Sequence, residues 1–218
     1  MEWELLAGLS PEERDSLLAL ARRRRYARNE IIFHQGDPAE TLHLIESGRV
    51  SVRVTTPRGD VATLAVLGSG DFFGEMALIT PPPARTATIV ALEPTETVII
   101  HRDAFQDIRS RSPEVNEVLA AALATQVKRL TSHLLEALFV PVQTRVFRRL
   151  LALGDVYAEG TTDLVIPLSQ DDIAALAGAT RPTVNSVLKD AERSLMIALG
   201  RGRIEVRDIE ELRRRARS

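Results

Sequence analysis

The sequence contains no cysteine. That removes disulfides, thiolate zinc sites, cysteine nucleophiles, cysteine-held iron–sulfur clusters and thiol redox sensing together. It lacks any apolar run near the ~18 residues of a membrane span, and its start, Met1-Glu2-Trp3-Glu4, is acidic where a secretory signal would be basic. The expected location is the cytoplasm, with no membrane partner. No Gly-rich P-loop or dinucleotide fingerprint occurs, and no metal spacing, nucleophile–base pair or paired carboxylates stand in a recognisable frame. Neither an enzyme nor a metal site nor a resident cofactor is expected. What is present is a globular composition: 218 residues, 44% hydrophobic and 27% charged, enough for one large domain or two small ones.

Charge is unevenly placed. The formal net charge is −2, yet residues 1–138 hold 15 Lys and Arg against 19 Asp and Glu, whereas residues 139–218 hold 13 against 11. The last 40 residues carry 10 basic against 6 acidic side chains. Such a balance fits either a modest nucleic-acid footprint or a solvated basic tail, and charge alone does not choose.

Local patterns divide the chain. Ser10-Pro11-Glu12-Glu13 has capping-box spacing and precedes Leu17, Leu18 and Leu20, which predicts a short amphipathic helix over 10–22. The run Arg22 to Arg25 reads as a solvated turn after it. From Glu30 to about Arg102, short β-rich runs (31–33, 41–45, 50–55, 61–66, 86–90 and 97–100) alternate with glycine and proline turns. Many short strands at regular spacing predict a small barrel or roll. After Ser112-Pro113-Glu114 the period becomes helical, with Leu123, Val127, Leu130, Leu134 and Ala137 on one narrow seam. One helix over 114–138 would be about 37 Å long, suited to pairing with a second copy.

Phe139-Val140-Pro141-Val142 breaks that helix and predicts a hinge. A helix over 143–157 and a loop with a short strand over 161–167 are expected next. Ser169 with Asp172 then forms a second capping box for a helix to Ala177, Gly178-Ala179 turns, and Thr180 caps a helix with Pro182 in its first turn. Residues 196–199, the turn Gly200-Arg201-Gly202, and 203–206 predict a hairpin. Two short helices and a hairpin make a winged helix-turn-helix. The fold class is therefore α+β, with a roll over 1–112, a dimerisation helix over 113–138 and a winged helix-turn-helix over 139–218.

Two segments resemble the cyclic-AMP receptor protein (CRP/FNR) family of bacterial transcription regulators. The first runs from Phe72-Phe73-Gly74-Glu75-Met76-Ala77-Leu78-Ile79 through Thr80 to Ala84 and Arg85-Thr86-Ala87, similar to that family's phosphate-binding cassette. The second is the helix-turn-helix from Ser169 to Lys189. By chemistry, Gly74 permits close backbone approach, Arg85 offers a charged fork, Thr86 a hydroxyl, and Glu75 an acceptor for a ribose hydroxyl. Alternatively, Glu75 and Arg85 pair with each other. The resemblance implies that Gly74, Glu75, Met76, Ala77, Arg85 and Thr86 bind a cyclic nucleotide and that Thr131 and Ser132 contact its base from the two subunits.

Cyclic AMP is the ligand the resemblance favours over cyclic GMP or a cyclic dinucleotide, and haem is not expected from His34, His43, His101 or His133. The family usually has proline before the arginine, where this chain has Ala84 behind Pro81, Pro82 and Pro83. Its DNA-reading helix departs further: Arg-Glu-Thr-Val-x-Arg is replaced by Arg181-Pro182-Thr183-Val184-Asn185-Ser186. Arg181 is expected to read guanine and Asn185 adenine, Ser186 is too short to replace an arginine fork, and Gln170, Thr180, Thr183 and Arg201 are expected on phosphates. The implied protein is a homodimeric regulator switched by ligand on two-fold-related double-stranded DNA, with RNA polymerase a further partner. A ligand-independent regulator of the same fold is the alternative.

Overall fold

A computed structural model describes residues 3–78, 84–112, 114–157 and 164–217, without the side chains of Glu4 and Ala77. Of the predicted features, Ile79 to Pro83 of the cassette, Pro113, and the loop residues Thr161 to Asp163 lie outside these. Two compact units are present: Met1–Asp60 with Leu64–Arg129, and Val61–Thr63 with Leu130–Ser218. The division falls inside the long helix.

The first unit opens with a 3-10 turn, Glu4–Leu6, and helix α1, Pro11–Ala19. Ser10 accepts from the Glu13 amide while the Glu13 carboxylate accepts from the Ser10 amide, the reciprocal cap expected from spacing. Eight strands follow: β1 Arg22–Tyr26, β2 Ile31–Phe33, β3 Thr41–Ser47, β4 Val50–Thr55, β5 Val61–Leu67, β6 Phe72–Phe73, β7 Thr88–Ala91 and β8 Thr95–His101. They form two sheets, ordered β1-β8-β3-β6 and β2-β7-β4-β5. Strand β3 shows how the core divides. Leu42 and Leu44 face out toward Leu17 of α1 and Phe105 and Ile108 of α2, Arg102–Arg111. Ile45 faces inward, between the sheets, with Val50, Phe73 and Ile89, as the period of two requires.

One expectation fails here and one helix is unforeseen. Arg22 to Arg25 are not a turn: they pair with β8, from Arg22 opposite Ile99 to Tyr26 opposite Thr95. All four arginines are exposed and only Tyr26 is buried, so no alternation marked the strand. Pairs from Arg23 to Glu46 (2.9 Å) and from Arg25 to Glu96 (3.0 Å) help seat it. Helix α2 had no sequence signal because it follows β8 without a loop, and its N-cap His101 makes no side-chain cap bond.

Helix α3, Glu114–Phe139, is continuous. Val115 and Leu119 join the roll's outer core, and Leu123, the first residue of the predicted seam, packs against it. Further along, Val127, Leu130, Leu134, Leu135, Leu138 and Phe139 are exposed.

The second unit continues with α4, Val142–Tyr157, which starts just after the proline break. Glu136 braces that break, pairing with Arg148 (3.1 Å) and Arg149 of α4. Next come β9 Leu164–Ile166, α5 Gln170–Ala177, α6 Arg181–Arg193, β10 Ile197–Gly200, β11 Arg203–Val206 and α7 Ile209–Arg217. Ser169 and Asp172 form the second capping box. Gly178 sits in the left-handed region at φ 57°, which is what lets α5 stop and α6 start within a few residues. Thr180 stands at the N-cap of α6 but does not cap it: its hydroxyl meets that of Thr183 at 2.9 Å. The hairpin pairs Gly200 with Arg203, and β9 adds a third strand. Helix α7, unforeseen in the sequence, buries Leu212 and Ala216.

Candidate functional site

The cassette lies entirely in the first unit. After β6 the chain turns at Gly74, φ 85°, and enters a 3-10 turn, Glu75–Leu78. Four residues of 3-10 turn are too few for a helix dipole to matter. Gly74 is required for a second reason. A Cβ on it would stand 2.7 Å from Arg85 Nη1 and 2.9 Å from the Thr41 carbonyl oxygen.

Arg85 is 7% exposed. Its Nη1 donates to the Thr41 carbonyl (2.7 Å) and its Nη2 to the Thr41 hydroxyl (2.6 Å). The guanidinium lies 3.8 Å from the centre of the Phe33 ring, a cation–π contact. Its Nε is buried with no partner among the described residues. Backbone bonds fix the segment, Arg85 N to Asp37 O (2.9 Å) and Gly36 N to Arg85 O (2.8 Å).

Glu75 and Arg85 do not pair directly. Glu75, also 7% exposed, accepts instead from Gln126 Nε2 of α3 at 3.2 Å. Burial pushes its carboxyl above the usual range, opposed by hydrogen bonds from its own amide and that of Gly74 and by the charges of Arg129 and Arg85. Gln126 and Arg129, one turn apart on α3, were not picked out in the sequence, because nothing local ties a helix residue to a loop about 50 positions earlier. Thr86 is exposed just before β7, and Met76 is half-buried. Thr131 and Ser132 are exposed on the part of α3 that belongs to the second unit.

His43, on β3, is deeply buried and meets the hydroxyls of Thr41 and Thr97. Its ring stacks on Phe73 with centroids 4.8 Å apart and planes 12° apart. Burial first, then the charges of Arg85, Arg24 and His101, lower its pKa to about 3. It is therefore a neutral imidazole.

In the second unit, α6 exposes Arg181, Pro182, Thr183, Ser186 and Lys189 along one face. Arg181 Nε lies 3.2 Å from Asp171 Oδ1, both side chains being more than half exposed. A cleft of about 220 Å³ runs between the start of α5 and the hairpin, lined by Gln170, Asp171, Arg181, Gly202 and Arg203 among others. Arg201 is exposed at the hairpin tip. Asn185 is half-buried, and its Oδ1 is occluded without a partner among the described residues. Bidentate reading of adenine needs both amide atoms, so this side chain must rotate before it can take that role. Asp171 and Arg203 join the predicted residues here; neither had a sequence signal beyond its charge.

Residues 23–112 match the family described as cyclic nucleotide-binding domain, and residues 144–215 match the Crp-like helix-turn-helix domain. The chain is 37% identical over 204 residues to the cyclic AMP receptor protein of Thermus thermophilus, spanning 94% of this chain and 92% of that protein. It is 32% identical to the CRP-like cAMP-activated global transcriptional regulator of Mycobacterium tuberculosis, over 88% of this chain and 87% of that one. A solved CRP-family transcriptional regulator from Thermus thermophilus aligns with a TM-score of 0.76 at 29% identity, over 89% of this chain and 97% of that one.

Proposed function

The chain belongs to the CRP/FNR family of transcription regulators, and on that premise we propose that it acts as a homodimer whose grip on DNA is set by a cyclic nucleotide, cyclic AMP first among them. The observation that carries the ligand half is Arg85, a buried guanidinium whose Nε has no partner among the described residues. Leaving a buried donor unpaired costs roughly 1–3 kcal/mol, and an accepting phosphate recovers it. Arg85 and Thr86, with the backbone from Gly74 to Ala77, hold the phosphate, and Glu75 takes the ribose hydroxyl. Thr131 of one subunit and Ser132 of the other contact the base. The names of both curated relatives support cyclic AMP as the nucleotide.

The homodimer is supported by α3, whose exposed leucines and Phe139 form an apolar face suited to a second copy. On DNA, Arg181 reads guanine from the start of α6, while Gln170, Thr180, Thr183 and Arg201 sit on phosphates. A two-fold dimer places its recognition helices about 34 Å apart, one turn of duplex. Ligand binding favours that spacing; moving a population from 1:99 to 99:1 takes about 5.5 kcal/mol of differential affinity. By linkage, operator DNA tightens nucleotide binding by the same factor. RNA polymerase is the partner such a complex would meet at a promoter.

The test is calorimetric titration with cyclic AMP, with cyclic GMP and an Arg85→Ala variant as controls, followed by DNA binding with and without ligand. Binding lost in the variant, and DNA affinity raised by ligand, is the expected result. No heat, no thermal shift and unchanged DNA affinity would instead make this a ligand-independent regulator.

A further inference from the structure

Thr41 and His43 lie two residues apart on β3, so both project to the inner face of the sheet. With Arg85 they form a continuous chain of polar contacts. Arg85 donates to the Thr41 carbonyl and hydroxyl, Thr41 Oγ1 lies 3.0 Å from His43 Nε2, and His43 Nδ1 lies 3.3 Å from Thr97 Oγ1. Thr97 is fully buried and His43 is 4% exposed.

The direction of the protons follows from the fixed end of this chain. A guanidinium only donates. Once Thr41 Oγ1 has accepted from Nη2, the hydroxyl has one hydrogen left to give, and His43 Nε2 is the acceptor within reach. Nε2 is then bare, and the ring proton sits on Nδ1, donating to Thr97. The opposite tautomer would make Thr41 Oγ1 accept twice and leave its own hydrogen without that acceptor.

We infer that Thr41, its hydroxyl held by neutral His43, occupies the end-on fork of Arg85, so that the side-on fork, Nε with its neighbouring Nη, is the edge presented to the anionic group of the ligand. Both are positioning residues, and the inference rests on the ligand reading above. Three observations agree. The end-on fork is filled by one residue's carbonyl and hydroxyl, while Nε alone is buried and unpartnered among the described residues. Phe33 lies against the guanidinium, its ring centre 3.8 Å from the guanidinium carbon. Gly74 leaves the space in which Nη1 reaches the Thr41 carbonyl. A planar fork that is already oriented loses little freedom when an anion arrives, which a freely rotating side chain would lose on binding.

The test uses the full chain with two substitutions, Thr41→Ser, which keeps the hydroxyl, and Thr41→Val, which keeps the volume. Nitrogen-15 spectra of the histidine-labelled protein, assigned with a His43→Gln variant, should give the Nδ1–H tautomer for His43 in wild type and Thr41→Ser, and a mixture in Thr41→Val. An Nε2–H tautomer in wild type overturns the chain. Titration with cyclic AMP should be within about twofold of wild type for Thr41→Ser and about tenfold weaker for Thr41→Val, the loss expected for one bond to a charged group. Equal affinity in Thr41→Val overturns the positioning role. A wild-type protein that takes up no cyclic AMP rejects the nucleotide itself, and the tautomer spectra still judge the chain.

Discussion

Arg181, the first residue of α6, is paired with Asp171 in the first turn of α5, Nε to Oδ1 at 3.2 Å. The residue expected to read a base is thus paired with a carboxylate. Both partners are largely exposed, so the pair is worth only about 0–1 kcal/mol to the fold. Asp171→Ala should leave the urea midpoint nearly unchanged while tightening binding to every DNA sequence, because a negative charge beside the phosphates is gone. Fluorescence anisotropy on specific and scrambled duplexes checks this; weaker binding would mean that Asp171 aims Arg181 and does not restrain it.

Arg181 and Arg201 should separate cleanly in the same assay. Arg181→Ala is expected to lose about 1–3 kcal/mol of preference at one G·C position. Arg201→Ala, at the hairpin tip, should weaken all sequences alike and lower the salt slope by about 1. Unchanged preference at every base in Arg181→Ala would remove the reading role.

The buried His43 gives a pH signature. Its folded pKa of about 3 lies below the ordinary 6.5, so as pH falls the unfolded chain takes up the proton first. Its contribution is fully present above about pH 6.5 and falls by about 1.4 kcal/mol for each pH unit below that, down to the folded value. Urea unfolding at about pH 7.5 and 5.5 should cost wild type more than His43→Gln. Equal losses would exclude His43 from the acid response.

Replacing Leu134 by Glu places a charge on the exposed apolar face of α3. The expected outcome is a shift from two chains to one in sedimentation velocity, with weaker binding to two-fold-related DNA and little change in either unit's stability. A dimer that persists would move the interface elsewhere.

Gly74→Ala meets two obstacles, a φ of 85° and the crowding of Arg85 Nη1 and the Thr41 carbonyl. A stability loss of about 1 kcal/mol or more is expected from the backbone alone. Cyclic AMP affinity should fall further than that loss explains, because the Arg85–Thr41 contact is displaced. Retained affinity in calorimetry would show that the cassette tolerates a wider turn.

Much of the architecture was legible because local chemistry dictates it. Ser10 and Ser169 announce their helices through capping boxes, Gly178 announces the tight turn, and Pro141 breaks the long helix. The failures share a cause. Strand β1 takes its form from β8, about 70 residues later, so its four arginines show no alternation to read. Helix α2 is held by Phe105 and Ile108 against the outer core and has no side-chain bond at its N-cap. The cassette motif exposed Glu75 and Arg85, but their actual partners, Gln126 and Thr41, sit 51 and 44 residues away. Contacts of that range are set by tertiary packing, which spacing along a chain does not encode.

Strand β1 has one further consequence. It is the terminal strand of its sheet, the place where a second copy could extend the ladder by hydrogen bonding. Four consecutive exposed arginines occupy it, and an approaching identical strand would bring four more against them. Like charges at strand spacing repel. That edge is thereby guarded against pairing with its own copy, the route by which an open antiparallel sheet most readily aggregates.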